Sequence, residues 1–588
     1  MSFHPNDVAR RAQAARILIG VAFAFLLSAF FRTQILRNQE YALQSEQNRL
    51  REVPLPAPRG IIYDRNGEVI AENLPGYSVS IVTRSADSLR AVLDRLSGVI
   101  ALSPDQQEGA VRRFRREPTR PAVILSDASF DVVSVLEEHR TDFPEVLIQA
   151  SPKRFYPDRE VVGSFVGYTG EITESELDSR QYDDYKAGQQ VGKAGLEKEY
   201  ESRLRGNEGS RFVEVDARGR VVREAGARQT LPPEAAPALV TNIDMDLQRF
   251  ARSLFGDSLQ GGLLAMEPHT GQVLALVSAP SFDPNRFIGG IGTAEWNALN
   301  TDPRRPMYNK VIQGRYPPAS TFKLATAVIA LQAGIVTLDD KMPQPCTGGY
   351  MYGRYFRCWD RKGHGDVTLR QAIAKSCDVY FYQLGLRLTL DRFVAGGVSL
   401  KFRERSGIDL PNETRPEWPD AISYFDQKYG ERGWSNGVTL SLAIGQGENA
   451  QTVASMARFY TALATDGTSV RPEIVRREPE RTKIFDLTQE QMDGLRAALS
   501  DVVSSRGTAG SAALQGVVVA GKTGTAQNPP NPDHAWFVGF APADDPQVVV
   551  AVFIEFGLHG SAAARMATKV IERYLKKPAI QGMQTEGD

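Results

Sequence analysis

One uninterrupted apolar segment near the N-terminus most constrains what this chain can fold into. Residues Ile17 to Phe31 (ILIGVAFAFLLSAFF) carry no charge and lie between Arg16 and Arg32. The run is shorter than the roughly 20 residues of a spanning helix, but arginine side chains that reach toward the membrane surface can make up the length. Its bulky end lacks the small residues that signal-peptide cleavage needs. We therefore expect an uncleaved transmembrane anchor over residues 17–37, with everything after it on one side of the membrane.

The rest of the chain has the composition of folded, water-soluble domains. Its 588 residues are too many for a single hydrophobic core, which indicates two or three domains. Apolar residues make up 42% and charged residues 24%, which is ordinary for globular proteins. The formal net charge of −1 gives no field that would attract nucleic acid, so we expect no nucleic-acid partner.

Two proline-rich stretches divide the polar part of the chain. A Gln- and Arg-rich stretch, Asn38 to Arg51, is predicted to be helical and is followed by a hinge at residues 53–60 (VPLPAPRG). A second stretch, Thr230 to Ala238 (TLPPEAAPA), is typical of a linker. Beyond it, strands and helices mix without a regular βαβ alternation, which favours an antiparallel sheet with helices packed against it, an α+β fold. The predicted segments are a tail at 1–16, the anchor, an N-terminal domain at 38–235, a larger domain at 236–577 and a flexible tail at 578–588.

The first of three short motifs places a serine and a lysine three positions apart. Ser320-Thr321-Phe322-Lys323 opens an apolar helix (FKLATAVIAL), so Ser320 and Lys323 share one helix face. Serine is a weak nucleophile until a base takes its proton, and a lysine can be that base only if burial or a second cation lowers its pKa. A serine at a helix start also puts the N-terminal dipole beneath a developing oxyanion. Alone, this spacing arises easily by chance.

The second motif is Ser376-Cys377-Asp378, between the predicted helices LRQAIAKS and VYFYQLG. Taken alone, its Ser and Asp could simply cap a helix. In a catalytic interpretation, Ser376 passes a proton to the leaving amine and Asp378 is an orienting hydrogen-bond acceptor.

The third motif is Lys522-Thr523-Gly524-Thr525, at the end of the predicted strand GVVVAGKTGTA. Lys522 would supply the second cation that lowers the pKa of Lys323. Gly524 would let a substrate backbone approach the strand edge closely. Thr523 and Thr525 could bind a substrate carboxylate, and the Thr525 N–H could complete an oxyanion hole with that of Ser320.

Together and in this order, the three motifs are those of penicillin-binding proteins and serine β-lactamases. The chain resembles the monofunctional, class B penicillin-binding proteins, most closely the penicillin-binding protein 2 group of the elongation machinery. The resemblance extends over nearly the whole chain, through PRGIIYDRNGEVIAEN (Pro58 to Asn73), VGKAGLEKEYESRLRG (Val191 to Gly206) and IGQGENAQTVASMARFYTALATDG. The S-x-D form of the second motif favours the elongation type over the division type, which usually has S-x-N. Ser164 and Ala319 depart from the family's usual His and Gly, and neither is expected to be catalytic.

The resemblance implies a fold and a reaction. It implies a transpeptidase domain like that of serine β-lactamases, preceded by an elongated α+β pedestal or dimerisation domain and one N-terminal transmembrane helix. It implies that Ser320 attacks the penultimate D-Ala of a D-Ala-D-Ala stem peptide of peptidoglycan and that β-lactams acylate the same serine. It further implies a RodA-type glycosyltransferase partner and an inner-membrane location with a periplasmic catalytic domain. A D,D-carboxypeptidase, a β-lactamase-like hydrolase and a non-catalytic activator of a membrane glycosyltransferase stay open as alternatives.

All three cysteines of the chain lie close together in sequence, with a histidine among them. Cys346, Cys358, His364 and Cys377 form a C-x11-C-x5-H-x12-C pattern. Three thiolates and one imidazole make a complete tetrahedral zinc shell, which predicts a structural zinc that would pin the Ser376 loop. The alternative for an exported domain is a Cys346–Cys358 disulfide with Cys377 as a buried thiol. The acyl-transfer chemistry itself needs no cofactor.

Overall fold

The chain begins with a long exposed helix. The computed structural model describes residues 5–38, 50–216, 221–224, 230–431, 433–504 and 507–576. Helix α1 runs over Pro5–Phe31 and continues as a π-helical turn, Arg32–Leu36. Among the described residues, Ala9–Leu36 is the one helical stretch long and apolar enough to cross a membrane, and none of it is buried against the rest of the chain. The helical stretch starts before the predicted anchor, at Pro5, and ends at Leu36, one residue before its predicted end.

The N-terminal half is built on one antiparallel sheet, one mixed sheet and a small strand pair. Its strands are β1 Leu50–Leu55, β2 Ile62–Tyr63, β3 Val69–Ile81, β4 Ala122–Ala128, β5 Val146–Phe155, β6 Thr169–Glu171, β7 Gln190–Gly192, β8 Gly209–Val215, β9 Val221–Glu224 and β10 Leu239–Val240. Its helices are α2 Ala86–Leu96, α3 Pro104–Arg116, α4 Phe130–Glu138, α5 Gly163–Val166, α6 Glu174–Leu177, α7 Gly195–Glu199 and α8 Glu201–Leu204. One sheet has the order β1-β8-β9; in the other, β10-β2-β3-β4, strand β5 also pairs with β3 and β10 is parallel to β2. Strands β6 and β7 pair with each other.

The predicted helix over Asn38 to Arg51 is wrong at its end. Leu50–Leu55 is strand β1, which pairs antiparallel with β8, so the start of the predicted hinge is also strand. β1 is an edge strand, and one of its sides has no partner strand. An edge strand can therefore accommodate Pro54, which has no N–H to donate. Val53 is fully buried beside β8, and this packing outweighs the helix propensity of the polar residues before it. Residues 39–49 lie outside the described part of the chain.

Two of the segments that carry the family resemblance meet in a buried ion-pair network. Arg59, from the first segment, donates to the Glu197 and Glu201 carboxylates at 3.0 Å and 2.8 Å. Arg154 donates to the second oxygen of Glu197 at 2.7 Å. All four side chains are nearly inaccessible to solvent, and removing one partner from such a network typically costs about 3–5 kcal/mol. These charges therefore fix the first segment against helices α7 and α8.

The larger C-terminal half has one central sheet among many helices. Its strands are β11 Gln260–Met266, β12 Val273–Ala279, β13 Gly349–Tyr352, β14 Arg354–Arg357, β15 Thr468–Val470, β16 Arg481–Lys483, β17 Ala520–Ala526, β18 His534–Ala541 and β19 Val548–Glu555. Its helices are α9 Met245–Ser253, α10 Thr293–Thr301, α11 Lys323–Gln332, α12 Leu369–Ala374, α13 Asp378–Leu388, α14 Leu390–Ser399, α15 Ser423–Tyr429, α16 Val438–Ala443, α17 Val453–Ala464, α18 Gln489–Val503 and α19 Gly560–Leu575. The central sheet is antiparallel with the order β12-β11-β19-β18-β17, and β13-β14 and β15-β16 are separate hairpins. The expected antiparallel sheet with helices packed against it, and the α+β class, are confirmed.

The central sheet is buried on both faces, which explains its continuous apolar strands. Along β19, Val548, Val550 and Val552 pack in the cluster that contains α9 and α19, whereas Val549 and Ala551 pack in the cluster that contains α11 and α17. This alternation follows from the two-residue repeat of a strand. Helix α11 is buried almost all round, as expected for a helix with little polar surface. The sheet and α11 together hold the site described next.

Candidate active site

Ser320 lies on a single turn of 3₁₀ helix, Ala319–Phe322, which leads directly into α11. Side chains three positions apart eclipse one another in a 3₁₀ turn, so Ser320 and Lys323 share one face of this element. The turn replaces the first turn of the α-helix that the sequence predicted. Ser320 is half-buried at the surface of the turn, and Lys323 is completely buried as the first residue of α11.

The turn that carries Ser320 is held by the Gly445 loop. Ala319 adopts a left-handed φ of +48° and donates its N–H to the Gly445 carbonyl at 2.9 Å. Gly445 itself has φ +74°, and a Cβ there would lie 2.2 Å from the Ala319 carbonyl oxygen. From the other side, the Tyr460 hydroxyl donates to the Thr321 carbonyl at 2.9 Å. The position of the serine therefore depends on a glycine more than a hundred residues away.

Lys323 connects the first motif to the second. Its Nζ donates to the Ser376 carbonyl at 2.9 Å, to Ser376 Oγ at 3.2 Å and to Asp378 Oδ1 at 2.7 Å. These contacts use all three N–H bonds of an ammonium group. Among the described residues, Lys323 makes no hydrogen bond to Ser320 Oγ. Lys323 is thus ion-paired with Asp378 and hydrogen-bonded to Ser376.

Lys522 connects the third motif to the second. It is completely buried in β17 and donates to Ser376 Oγ at 2.9 Å and to the Thr523 carbonyl at 3.1 Å. Burial lowers its pKa well below the ordinary lysine value, the nearby Lys323 ammonium lowers it further, and Asp378 acts in the opposite direction. The sequence predicted that Lys522 would act on the pKa of Lys323. In the structure, Lys323 has the carboxylate partner, and Lys522 is the lysine whose pKa is lowered.

Ser376 therefore lies between the two lysines, and its backbone is strained to place it there. It has φ +52°, a left-handed conformation that costs a non-glycine residue about 1–2 kcal/mol. This conformation occurs between α12 and α13, where it turns the hydroxyl toward both lysines and the carbonyl toward Lys323. Strain of this kind is concentrated at functional sites.

The Thr523-Gly524-Thr525 segment lies on β17, at the edge of the central sheet. A Cβ on Gly524 would come within 3.0 Å of the Pro318 carbonyl and 3.2 Å of Thr321. The missing side chain therefore makes room for the turn that carries Ser320, in addition to the substrate approach that the sequence predicted. Thr525 is exposed, so its side chain is open to a ligand.

The sequence did not indicate two residues that contact the motifs. Thr508 shares a hydrogen bond of 3.0 Å with Thr523 through their hydroxyl oxygens, and no sequence pattern marks it. Trp359 donates its backbone N–H to Asp378 Oδ2 at 3.0 Å, and its ring N–H to the Lys375 carbonyl at 3.0 Å. The one sequence signal for Trp359 is its position directly after the predicted metal ligand Cys358.

The four predicted metal ligands converge behind the second motif. Their ligand atoms all lie within 4.8 Å of one another, and the Nδ1 atom of His364 is 3.6 Å from Cys346 Sγ and 3.5 Å from Cys358 Sγ. A tetrahedral zinc with standard bond lengths would separate its nitrogen and sulfur ligands by about 3.6 Å. Hydrogen bonds from Cys377 and His364 lower the pKa of the Cys358 thiol. All three cysteines are free thiols, and the donor set fits zinc.

This fold and this site define a class of protein, and comparison with known families identifies it. Residues 261–572 match the penicillin-binding protein transpeptidase domain, and residues 54–234 match the penicillin-binding protein dimerisation domain. The two matches cover most of the chain, which therefore belongs to the penicillin-binding protein family. The predicted fold and family resemblance are confirmed.

Individual relatives are similar over almost the full length. The chain is 32% identical to the peptidoglycan D,D-transpeptidase MrdA of Acinetobacter baumannii, over 95% of this chain and 86% of the relative. A solved complex of penicillin-binding protein PBP2 with MreC from Helicobacter pylori matches with a TM-score of 0.77 and 26% identity, over 90% of this chain and 99% of that one. A structure titled as a peptidoglycan synthase complex that coordinates polymerisation and crosslinking matches with a TM-score of 0.70 and 29% identity, over 97% of this chain and 100% of that one.

Proposed function

We propose that this protein is a peptidoglycan D,D-transpeptidase that cross-links stem peptides through a Ser320 acyl-enzyme during cell elongation. The observation that carries the proposal is that Lys323, Ser376 and Lys522, from three distant segments, share hydrogen bonds beside the Ser320 turn. In the reaction, Ser320 Oγ attacks the penultimate D-Ala carbonyl, and the peptide C–N bond breaks to release D-Ala. An amine of a neighbouring stem peptide then attacks the ester, forms the new C–N bond and regenerates the serine hydroxyl.

The proton path in this proposal runs through Ser376. Because burial lowers the pKa of Lys522 well below the ordinary lysine value, its amine is the proposed proton acceptor. Ser376 Oγ, hydrogen-bonded to both lysines, relays the Ser320 proton to Lys522 and then from Lys522 to the leaving amine. Asp378 orients Lys323 through their ion pair. The ammonium of Lys323 then stabilises the negative charge that develops as the proton leaves Ser320.

The third motif supplies the binding surface for the donor peptide. β17 is an edge strand, and an extended peptide can add to such an edge through main-chain hydrogen bonds. The hydroxyls of Thr523 and Thr525 would bind the terminal carboxylate, and the N–H groups of Ser320 and Thr525 would form the oxyanion hole. β-Lactams would bind in the same place and acylate Ser320, which makes the protein a penicillin target.

The test is product formation by the full-length protein in detergent. Supplied with nascent peptidoglycan, the parent should release D-Ala and form cross-linked dimers, and Ser320→Ala should form none. Ser253→Ala, an exposed serine at the end of α9, is the matched control and should keep full activity. Release of D-Ala without any cross-link would show a carboxypeptidase instead. Rescue of cell shape by Ser320→Ala in a depleted strain would favour the non-catalytic activator.

We also propose that Cys346, Cys358, His364 and Cys377 hold a structural zinc ion. Four protein ligands complete a tetrahedral shell and leave no position for a reacting water. Such an ion would pin the segment that contains Cys358 to the loop that contains Cys377, and hence the Trp359 N–H to Asp378. The role proposed is support of the second motif, because Cys377 lies between Ser376 and Asp378 in the chain.

The location and partners follow from the same family membership. We propose a single-pass protein of the inner membrane, anchored by α1, with both folded domains in the periplasm. A RodA-type glycosyltransferase is the proposed partner in the membrane, because a structural relative belongs to a peptidoglycan synthase complex. An MreC-type protein is a second proposed partner, since the Helicobacter pylori relative forms such a complex.

A further inference from the structure

A small hairpin beside the second motif has one face that the proposed chemistry does not use. Strands β13 and β14 pair so that Met351 lies opposite Tyr355 and Gly349 lies opposite Arg357. Met351 is 66% exposed and Tyr355 is 54% exposed. A Cβ on Gly349 would lie 2.3 Å from the Tyr355 ring, so the ring lies against the strand backbone with its outer side open. The hairpin thus presents a fixed aromatic ring and a thioether to solvent.

The other face of the hairpin is anchored. Tyr350, Tyr352 and Phe356 are half-buried and pack against the main core of the C-terminal half. The two strands also lie between Cys346 and Cys358, whose side chains meet in the cysteine–histidine cluster. The exposed side chains therefore lie on a hairpin whose inner face packs on the core and whose two ends are close to Cys346 and Cys358.

The hairpin and the turn after it carry an excess of positive charge. Arg354, Arg357, Arg361 and Lys362 are all exposed, whereas Asp360 is the single acidic residue between Gly349 and Gly363. Among the described residues, none of these four cations is in an ion pair. The chain as a whole has a net charge of −1. The local charge therefore points to an anionic ligand rather than to a general basic character.

This surface is joined directly to the catalytic motif. Trp359 follows β14, is 58% exposed, and donates its backbone N–H to the catalytic-motif residue Asp378 at 3.0 Å. Its ring N–H is bonded to the carbonyl of Lys375, the residue before Ser376. A ligand on the hairpin would therefore lie next to the group that is proposed to handle the proton of the amine.

We infer that the open face of the hairpin, together with the turn to Lys362, binds the acceptor strand, an amine-bearing stem peptide with free carboxylates. The inference rests on the proposed function, because a transpeptidase must hold a second peptide after the first is bound to Ser320. Guanidinium groups bind carboxylates through paired N–H donors, and the Tyr355 and Met351 side chains offer apolar contact to the peptide. The bound amine attacks the Ser320 ester carbonyl, the C–N bond forms, the C–O ester bond breaks, and the amine proton returns to Ser320 Oγ.

The test separates acylation from the fate of the acyl-enzyme. The full chain in detergent is acylated with a thioester donor, and the ratio of aminolysis to hydrolysis is measured with an acceptor peptide that has free carboxylates. The same peptide with its carboxylates amidated is the second acceptor. The variant is Arg357→Glu/Arg361→Glu, and Arg392→Glu/Lys569→Glu, two exposed cations on helices α14 and α19, is the charge-matched control.

We expect the hairpin variant to lower the aminolysis ratio about threefold to tenfold with the carboxylate acceptor at low salt, and to change it much less with the amidated acceptor or at about 0.5 M salt. Penicillin acylation should match the parent, and Tyr355→Ser should lower the ratio with both acceptors. An unchanged ratio, or an equal fall in the control variant, would overturn the inference. Loss of binding to anionic lipid vesicles with an unchanged ratio would overturn it in favour of a membrane contact. If the parent is not acylated at all, the proposed function fails instead.

Discussion

Replacing Asp378 with asparagine tests how the two lysines are kept in place. Asp378 is the counterion of Lys323, and the side chains are 12% and 0% exposed. Removing one partner of a buried ion pair costs about 3–5 kcal/mol, because the other charge is left uncompensated. Lys323 keeps its two hydrogen bonds to Ser376, so Asp378→Asn should lie at the lower end, at about 3 kcal/mol. For a large domain this corresponds to a fall in Tm of roughly 6 °C or more.

The measurement is thermal unfolding of the detergent-solubilised protein, with the double variant Lys323→Met/Asp378→Asn as the decisive comparison. If the loss comes from an unpaired buried charge, the double variant should be at least about 2 kcal/mol more stable than the sum of the two single effects predicts. Penicillin acylation by Asp378→Asn should also slow, because Lys323 loses its orienting partner. A fall in Tm below about 2 °C, or additive single effects, would refute the reasoning.

Three further predictions concern the surroundings of the site. Gly445→Ala should destabilise the protein by more than about 2 kcal/mol in chemical denaturation and slow acylation, because the new Cβ would clash with the Ala319 carbonyl oxygen. The control is Gly447→Ala, which has the same φ of +74° but whose Cβ would lie 3.3 Å from its nearest neighbour. This control should cost only about 1 kcal/mol. Burial lowers the pKa of Lys310 from 10.5 to about 8. Between pH 8 and 10.5 the unfolded state therefore binds a proton at Lys310 that the folded state has lost, and the free energy of unfolding rises with pH. The parent should gain about 3 kcal/mol over this range relative to Lys310→Met. Removal of zinc by a chelator should lower the Tm of the parent. Cys346→Ser should contain no stoichiometric zinc, and its Tm should not respond to the chelator. A parent without zinc, or an unchanged Tm in Cys346→Ser, would contradict the metal proposal.

Much of this architecture could be predicted because each element had a local signal. The apolar run predicted α1, and the irregular mixture of strands and helices after residue 238 predicted the antiparallel sheet. The three motifs predicted which side chains converge, because each lies at the start of a helix or the end of a strand. The four cysteine and histidine ligands converge as their spacing suggested.

The remainder could not be predicted because it depends on long-range contacts. The strand at Leu50–Leu55 forms only because β8, more than 150 residues later, offers a partner. That Asp378 pairs with Lys323, and that burial lowers the pKa of Lys522, both depend on the folded arrangement, and sequence spacing does not determine them. The contacts of Thr508 and Trp359 with the motifs likewise arise only when the chain is folded.

The most direct test of the central claim is peptide mapping by mass spectrometry after the protein is treated with penicillin. If Lys323, Ser376 and Lys522 serve Ser320 as one acyl-transfer site, a single stable penicilloyl adduct should map to the peptide that contains Ser320. The adduct should be absent in Ser320→Ala and form far more slowly in Lys522→Met. An adduct on another residue, or equal labelling of Ser320→Ala, would contradict the account.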